Sequence, residues 1–296
     1  MVMGSLQGFE YAEPTSLEEA FAILGRNEGA RILAGGTDLV LGMRERKFEP
    51  RVVVNIKRIP SLDRMKIDDH GGLRIGALVT INAIDSSDRV RTTFPILASA
   101  AHSLGSYQIR NRATVGGNLC NASPAADTAP PLIALGAVAK IAGPREERIV
   151  KLEDFFVGPG RTALSKDEIL VEIDVPNPPR GSYGAYLKHG PRNAMDIATV
   201  NAALMCTLSG HKCEDARIVL GSVAPTPMRA RKAEKAIRGK PTDENTVRKA
   251  AELASEECSP ISDVRASAEY RRAMVKAVVR RLFRDALQSK SVKREA

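Results

Sequence analysis

Two glycine pairs are the residues best placed to do chemistry. In "ARILAGGTDLVLGMRERK" (30–47) a β-branched apolar run stops at Gly35–Gly36, and a helical pattern starts at Thr37 or Asp38. In "RNRATVGGNLCNASPAADTAPPL" (110–132) a second pair, Gly116–Gly117, follows Thr114 and Val115 and precedes Asn118. Glycine lets the backbone N–H point into open space and lets a ligand approach the main chain. A strand that ends in Gly-Gly before a helix is therefore an anion site, with free N–H groups, a favourable dipole and no side chain in the way. Two such loops could clasp a pyrophosphate from two sides, with Thr37 and Asn118 adding hydrogen bonds. Asp38 suits a helix cap better than a phosphate contact. Each pair taken alone is equally well explained as a tight turn. Neither loop matches the phosphate-binding G-x-x-x-x-G-K-[ST] or the dinucleotide G-x-G-x-x-G pattern.

The elements that must position these loops follow from the apolar periodicity. "TSLEE" opens a helix over 15–25 with two overlapping capping boxes, Thr15 with Glu18 and Ser16 with Glu19. Strand 31–34, helix 38–46 and strand 51–56 then form a parallel βαβ unit. "MKIDDHGGLRIGAL" (65–78) predicts a hairpin turning at "DHGG". Helices are expected after Thr80 and from Pro95; "PLIALGAVAKIAG" (131–143) passes from helix to strand, and further strands are expected at 146–152 and 167–176. "NPPRGSYG" (177–184) is the candidate linker. Beyond it, three strand patterns (184–190, 198–210, 215–223) precede helices at 229–238, 243–257 and 266–288. In the last, Tyr270, Met274, Ala277, Val278 and Leu282 share a stripe. The expected fold class is α+β, with a lobe over residues 1–57, a second over 58–176, and a C-terminal domain over 177–296 that joins a three-stranded antiparallel sheet to a helical bundle.

Composition removes several functions. The chain has 296 residues, 43% hydrophobic and 27% charged, which suits a globular protein with a substantial core. No apolar run approaches the roughly 20 residues of a membrane helix, and "MVMGSLQGFEYAEP" has no secretory pattern, so a cytoplasmic location is expected. Four dispersed cysteines, without C-x-x-C or a histidine at ligand spacing, hold neither a disulfide framework nor a metal. Cys206 and Cys213 are expected to be one buried hydrophobe and one exposed thiol. The net charge of +9 raises nucleic-acid binding, but aromatics are only 4%, there is no Trp, and the basic clusters lie on helix-like segments. These clusters suit an acidic partner or an anionic ligand better. No nucleophile–base–orienter set stands out, so no catalytic residue is assigned.

The chain resembles the FAD-binding medium subunit of the molybdenum hydroxylases, the family of xanthine dehydrogenase and carbon monoxide dehydrogenase. The resemblance rests on "ILAGGTDL" (32–39), "ATVGGNLCNASPAADTAPPLIALGA" (113–137), "DEILVEIDVP" (167–176), "YLKHGPRNAMDIATVNAA" (186–203) and "SDVRASAEYRRAM" (262–274), in family order over nearly the whole length. It implies a two-lobed FAD domain of the vanillyl-alcohol-oxidase (PCMH) type and a family-specific C-terminal domain. It puts the pyrophosphate on Ala34, Gly35, Gly36, Thr37 and Asp38 and on Thr114, Val115, Gly116, Gly117 and Asn118. It also assigns Asp127, Leu170 and Lys188 to the FAD, places Leu104 near the ring system, and sets His189 and Asp196 close to the same region.

The implied role is a redox subunit. A large molybdenum-pterin subunit would hydroxylate substrate, and a small subunit with two 2Fe–2S clusters would pass electrons to the FAD here. An external acceptor would take them on, in an assembly expected to be a dimer of heterotrimers. Two other classes remain open on the residues: a stand-alone FAD oxidoreductase, and a flavin-free module binding an anionic polymer through its basic surface.

Overall fold

The computed structural model describes residues 6–192 and 194–295, with side chains described to residue 288. Strands β1 (Glu10–Ala12), β2 (Arg31–Leu33) and β3 (Val52–Asn55) pair in parallel in the order β1-β3-β2. Every residue of β3 is buried, as the middle strand of a covered parallel sheet requires. Helix α1 (Leu17–Arg26) links β1 to β2, and α2 (Leu39–Arg44) links β2 to β3, the expected βαβ unit. One capping box forms at α1, built on Glu19. The Ser16 hydroxyl accepts from the Glu19 N–H at 3.2 Å, while the Glu19 carboxylate accepts from the Thr15 N–H at 2.7 Å. Glu19 thus takes both partners, and Glu18 stays outside the cap.

The second lobe is built on a five-stranded antiparallel sheet. Its strands are β4 (Met65–Ile67), β5 (Leu73–Gly76), β6 (Val138–Ala142), β7 (Glu147–Lys151) and, after a short ribbon of β8 (Phe156–Gly158) with β9 (Arg161–Thr162), β10 (Ile169–Val175). The order is β4-β5-β10-β6-β7, which puts the apolar "ILVEIDV" strand at the centre. Between β5 and β6 run the short helices α3 (Ile81–Ser86), α4 (Asp88–Thr93), α5 (Pro95–Ser103), α6 (Tyr107–Arg110), α7 (Val115–Cys120) and α8 (Ala129–Leu135). Thr80 caps α3 and Pro95 opens α5, as expected. Helix α9 (Leu152–Phe155) follows β7.

The C-terminal sheet has three long antiparallel strands, β11 (Ser182–His189), β12 (Val200–Ser209) and β13 (Lys212–Gly221), with the two-residue β14 (Met228–Arg229) at its edge. Helices α10 (Arg231–Ile237), α11 (Glu244–Glu257) and α12 (Ala268–Glu295) complete it. Two expectations change here. Of the expected stripe of α12, Met274, Val278 and Leu282 face the core, joined by Val275, Val279, Phe283 and Ala286, while Tyr270 and Ala277 are exposed. Arg271 is buried on the same helix, with its guanidinium bonded to the Thr199 and Ser222 carbonyls. Cys206 and Cys213 are both buried, because β13 folds the expected exposed thiol back under α10 and α11.

The three bodies share their cores. One cluster joins Phe21, Leu24 and Val54 of the first lobe to Leu78, Ala142, Ile169 and Val171 of the second. Another joins Leu97, Leu132 and Ile173 of the second lobe to Tyr186, Ala203 and Val219 of the C-terminal sheet.

Candidate functional site

The shared cores bring the two glycine segments together. Gly35–Gly36 occupy the turn from β2 to α2, as read. Gly116–Gly117 are not in a loop: they lie inside α7, whose N-cap is Thr114. Before them the chain makes a single bridge between Thr114 and Thr80 and then turns directly into helix.

Each glycine has its own reason. A Cβ on Gly35 would stand 2.0 Å from the Arg112 carbonyl oxygen, so the first segment touches the backbone that leads into the second. Gly36 has φ +79°, the left-handed region that side chains avoid. A Cβ on Gly116 would stand 2.6 Å from the Ala77 oxygen, so this residue seats α7 on the second lobe. Gly117 differs. A Cβ there would meet the Thr114 hydroxyl at 2.9 Å and otherwise only the Ala34 methyl of the facing segment, at 4.0 Å. No backbone atom crowds that position: it meets the capping hydroxyl of Thr114 and faces the first segment across the gap.

The donors are divided unequally. In the second segment Val115 N–H donates to the Val79 carbonyl, Gly116 to Ala77 and Asn118 to Thr114. Gly117 N–H is taken by the Thr114 hydroxyl at 3.0 Å. The free N–H groups expected there are therefore used internally. The Asn118 amide oxygen accepts from the Thr128 hydroxyl at 2.6 Å, which leaves its NH₂ for the cleft. In the first segment the N–H groups of Gly35, Gly36, Thr37 and Asp38 make no hydrogen bond among the described residues. Asp38 stands at the N-cap of α2 without capping it, because its φ −96°, ψ −42° are helical and not the extended values that turn a cap inward. Burial raises its carboxyl pKa.

Two cations border this space, and neither carried a signal in the sequence. Lys57 donates to the Ala34 carbonyl at 3.1 Å. Burial, then the neighbouring Arg112, lower the Lys57 pKa, while Glu13 opposes them. Four unpaired N–H groups, an amide NH₂, a glycine facing the opposite segment and two cations fit a pyrophosphate.

A second cluster ties the second lobe to β11. Lys188 donates to Asp127 Oδ2 at 3.0 Å and to the Ser103 carbonyl at 3.1 Å, with Asp196 Oδ1 at 3.9 Å. Tyr186, two residues earlier on the same face of β11, donates its hydroxyl to Asp127 Oδ1 at 2.7 Å. Burial raises the Asp127 pKa, and Lys188, Tyr186 and Asn201 counter it. The Tyr186 pKa is raised well above its ordinary value, chiefly by burial. Lys188 is thus no surface lysine, and Asp127 is no helix cap. A cleft of about 280 Å³ opens beside them, lined by Ser99, Ser103, Lys188, His189, Arg192 and Asp196. Leu104 is buried at the end of α5, directly after Ser103. Leu170 is buried in the core of the second lobe, opposite Ile141. His189 bonds the Tyr270 hydroxyl at 3.0 Å. Tyr186 was not among the residues singled out, since one tyrosine in a strand has no distinguishing pattern.

Comparison with known proteins identifies the family of the chain. The family described as "FAD binding domain in molybdopterin dehydrogenase" matches residues 7–178, and "CO dehydrogenase flavoprotein C-terminal domain" matches residues 185–286. The chain belongs to the FAD-binding medium subunits of the molybdopterin dehydrogenases. Within that family it is 33% identical to the xanthine dehydrogenase FAD-binding subunit of Escherichia coli O157:H7, over 94% of this chain and 95% of that one. Among solved structures it is similar to carbon monoxide dehydrogenase of Hydrogenophaga pseudoflava, with 36% identity and a TM-score of 0.93 over 96% of this chain and 99% of that one. Quinoline 2-oxidoreductase of Pseudomonas putida 86 matches with 32% identity and a TM-score of 0.91, over 97% and 99%. The mixed helix-and-strand fold, with a flavin domain followed by a C-terminal domain, is that of this medium-subunit family. Among the described residues no helix is long and apolar enough to cross a membrane.

Proposed function

We propose that this chain holds FAD across the two glycine segments and passes electrons as the flavin subunit of a multi-subunit molybdenum hydroxylase. The observation that carries the reading is the pairing of four unsatisfied N–H groups, Gly35 to Asp38, with the open face of Gly117. Ala34 to Asp38 bind one side of the pyrophosphate. Thr114, Val115, Gly116, Gly117 and Asn118 shape the other, with Asn118 as the donor and Gly117 as the gap. Lys57 and Arg112 offset the phosphate charge. Asp127, held by Tyr186 and Lys188, Leu104, and Leu170 serve the flavin side.

Bound FAD would supply the redox chemistry, and the protein supplies position and electrostatics. Lys188 is anchored by two hydrogen bonds, so its ammonium stays fixed at the cleft and stabilises negative charge placed near it. His189 and Asp196 line the same cleft and tune it. Electrons arrive from a small subunit with 2Fe–2S clusters, while a large subunit holds the molybdenum-pterin centre. An external acceptor receives them, and the assembly is a cytoplasmic dimer of heterotrimers. Domain boundaries near residues 57 and 176 fit this organisation.

The test is the visible spectrum of the chain alone and of its native complex. A yellow chain that releases FAD on denaturation, and whose native form contains iron, molybdenum and two companion chains, is the expected result. A colourless chain that takes up no added FAD would refute the reading. A yellow chain without companions would make it a stand-alone oxidoreductase.

A further inference from the structure

The Ser103 carbonyl that accepts from Lys188 stands at the last residue of α5, where helical carbonyls have no partner in their own helix. One side chain holds the carbonyls on either side of it. Arg110, on α6, donates from Nη1 to the His102 carbonyl at 2.9 Å and to the Leu104 carbonyl at 3.3 Å. Its Nη2 lies 3.5 Å from Asp85 Oδ2, which is also 3.2 Å from His102 Nδ1. Arg110 and Asp85 are both buried. Asp85 is fixed in turn on α3. Arg91 Nε donates to its carbonyl at 2.7 Å, and Thr80, the N-cap of that helix, bridges Thr114 of the second glycine segment.

Burying a guanidinium is costly, and closing the end of a helix does not require one, since a left-handed backbone turn does the same. What arginine adds is a rigid planar fork with donors at fixed spacing. With the His102 and Leu104 carbonyls turned to Arg110, the carbonyl between them is left for Lys188. An unbroken path thus runs from Asp85 through Arg110 and the 102–104 backbone to Lys188, and on to Asp127.

Resting on the flavin-side role proposed above for Lys188, we infer that Arg110 is a positioning residue for the flavin reaction. It sets the Ser103 carbonyl, and through it the Lys188 ammonium, so that the cation favours the electron-rich reduced flavin. Arg110 acts through Lys188 and not on the cofactor itself.

The test is the two-electron midpoint potential of FAD bound to the full-length chain, measured by equilibration with a reference dye. That potential reports the ratio of the affinities for reduced and oxidised flavin. A side chain that only supported the fold would weaken both forms alike and leave the potential unmoved. Arg110→Lys keeps the charge but not the fork. It should lower the ratio of reduced to oxidised affinity at least tenfold, a shift of about 30 mV to more negative potential. In a Lys188→Met background the same substitution should change the ratio less than twofold, because the residue it acts through is gone. Asp85→Asn keeps the shape of the partner of Arg110 and should lower the ratio at least threefold; it decides the question if Arg110→Lys does not fold. The wild-type potential in a folded Arg110→Lys, or in Asp85→Asn where that variant alone folds, would overturn the inference. So would an equal shift from Arg110→Lys with and without Lys188, or a Lys188→Met chain that binds FAD at the wild-type potential. A wild-type chain that takes up no FAD, seen before any substitution is made, would refute the flavin reading itself and the inference with it.

Discussion

Two alanine substitutions, Gly35→Ala and Gly117→Ala, separate a glycine kept for packing from one kept for a ligand. At Gly35 the new methyl would lie 2.0 Å from the Arg112 oxygen and 2.8 Å from its carbonyl carbon. Backbone cannot rotate aside, so the two segments must separate, at a cost of about 1–3 kcal/mol as for other overpacked sites. Both stability and FAD affinity should fall. At Gly117 the methyl meets only the Thr114 hydroxyl at 2.9 Å and the Ala34 methyl at 4.0 Å. Alanine gains up to about 1 kcal/mol over glycine within a helix, and disturbing the Thr114 cap costs a similar amount. The apo protein should therefore stay within about 1 kcal/mol of wild type. The methyl nevertheless occupies the space between the segments, and FAD affinity should drop tenfold or more, about 1.4 kcal/mol. Denaturant unfolding of the apo chain and titration of flavin fluorescence measure the two quantities separately. Wild-type FAD affinity in Gly117→Ala would refute the reasoning and return the pair to the status of a turn.

Lys57→Met should weaken FAD binding about tenfold at low salt, and the difference should shrink near 1 M NaCl, where the screening length falls to about 3 Å. A deficit that ignores salt would mean that Lys57 acts only by holding the Ala34 carbonyl. Glu168 offers a pH test. Arg148 grips both of its oxygens, at 2.7 and 2.6 Å, and with the Ser165 N–H overcomes burial to hold the carboxyl down at about 2. A carboxyl lowered on folding stabilises the fold above its unfolded pKa, about 4.3, and that contribution is lost as pH falls toward the folded value. Discounted for a partly exposed pair, Glu168→Gln should cost about 1–2 kcal/mol at pH 7. Guanidinium midpoints of the two proteins should converge between pH 4.5 and 2; a gap constant across that range would rule out the ion pair as its source.

Much of the fold was legible because its signals are local. Ser16 and Glu19, Thr80, Pro95 and the "DHGG" turn act within a few residues of where they are read, and the apolar "ILVEIDV" strand sits at the centre of its sheet. Helix α7 was not legible. Two glycines cost about 2 kcal/mol of helix propensity together, and only tertiary bonds from Val115 to Val79 and from Gly116 to Ala77 set that segment in place. The proposed phosphate cations were hidden for a related reason: Lys57 meets Ala34 across 23 residues, and nothing in "NIKRIP" marks it. Asp127 and Lys188 stood out only through family resemblance. Their contact spans 61 residues, and Tyr186 joins it through a strand periodicity that any buried tyrosine shares. Arg271 was illegible too: nothing sets it apart from the other basic residues of its helix, yet it is 3% exposed and bonded to the Thr199 carbonyl and to Asp263.

The core shared between the first two lobes constrains the order of events during synthesis. The chain leaves the ribosome N-terminus first, yet Phe21, Leu24 and Val54 cannot be covered until Leu78, Ala142, Ile169 and Val171 have emerged. The Gly35 segment therefore cannot be fixed against Arg112 while the second lobe is unfinished, and Asp127 waits longer still for Lys188. Cofactor loading becomes a late step, open only to a chain translated well into its C-terminal sheet. A ribosome that stalls early releases a product in which the Gly35 segment, Asp127 and Lys188 have not met, so that incomplete chains are kept from the cofactor by the geometry of the fold itself.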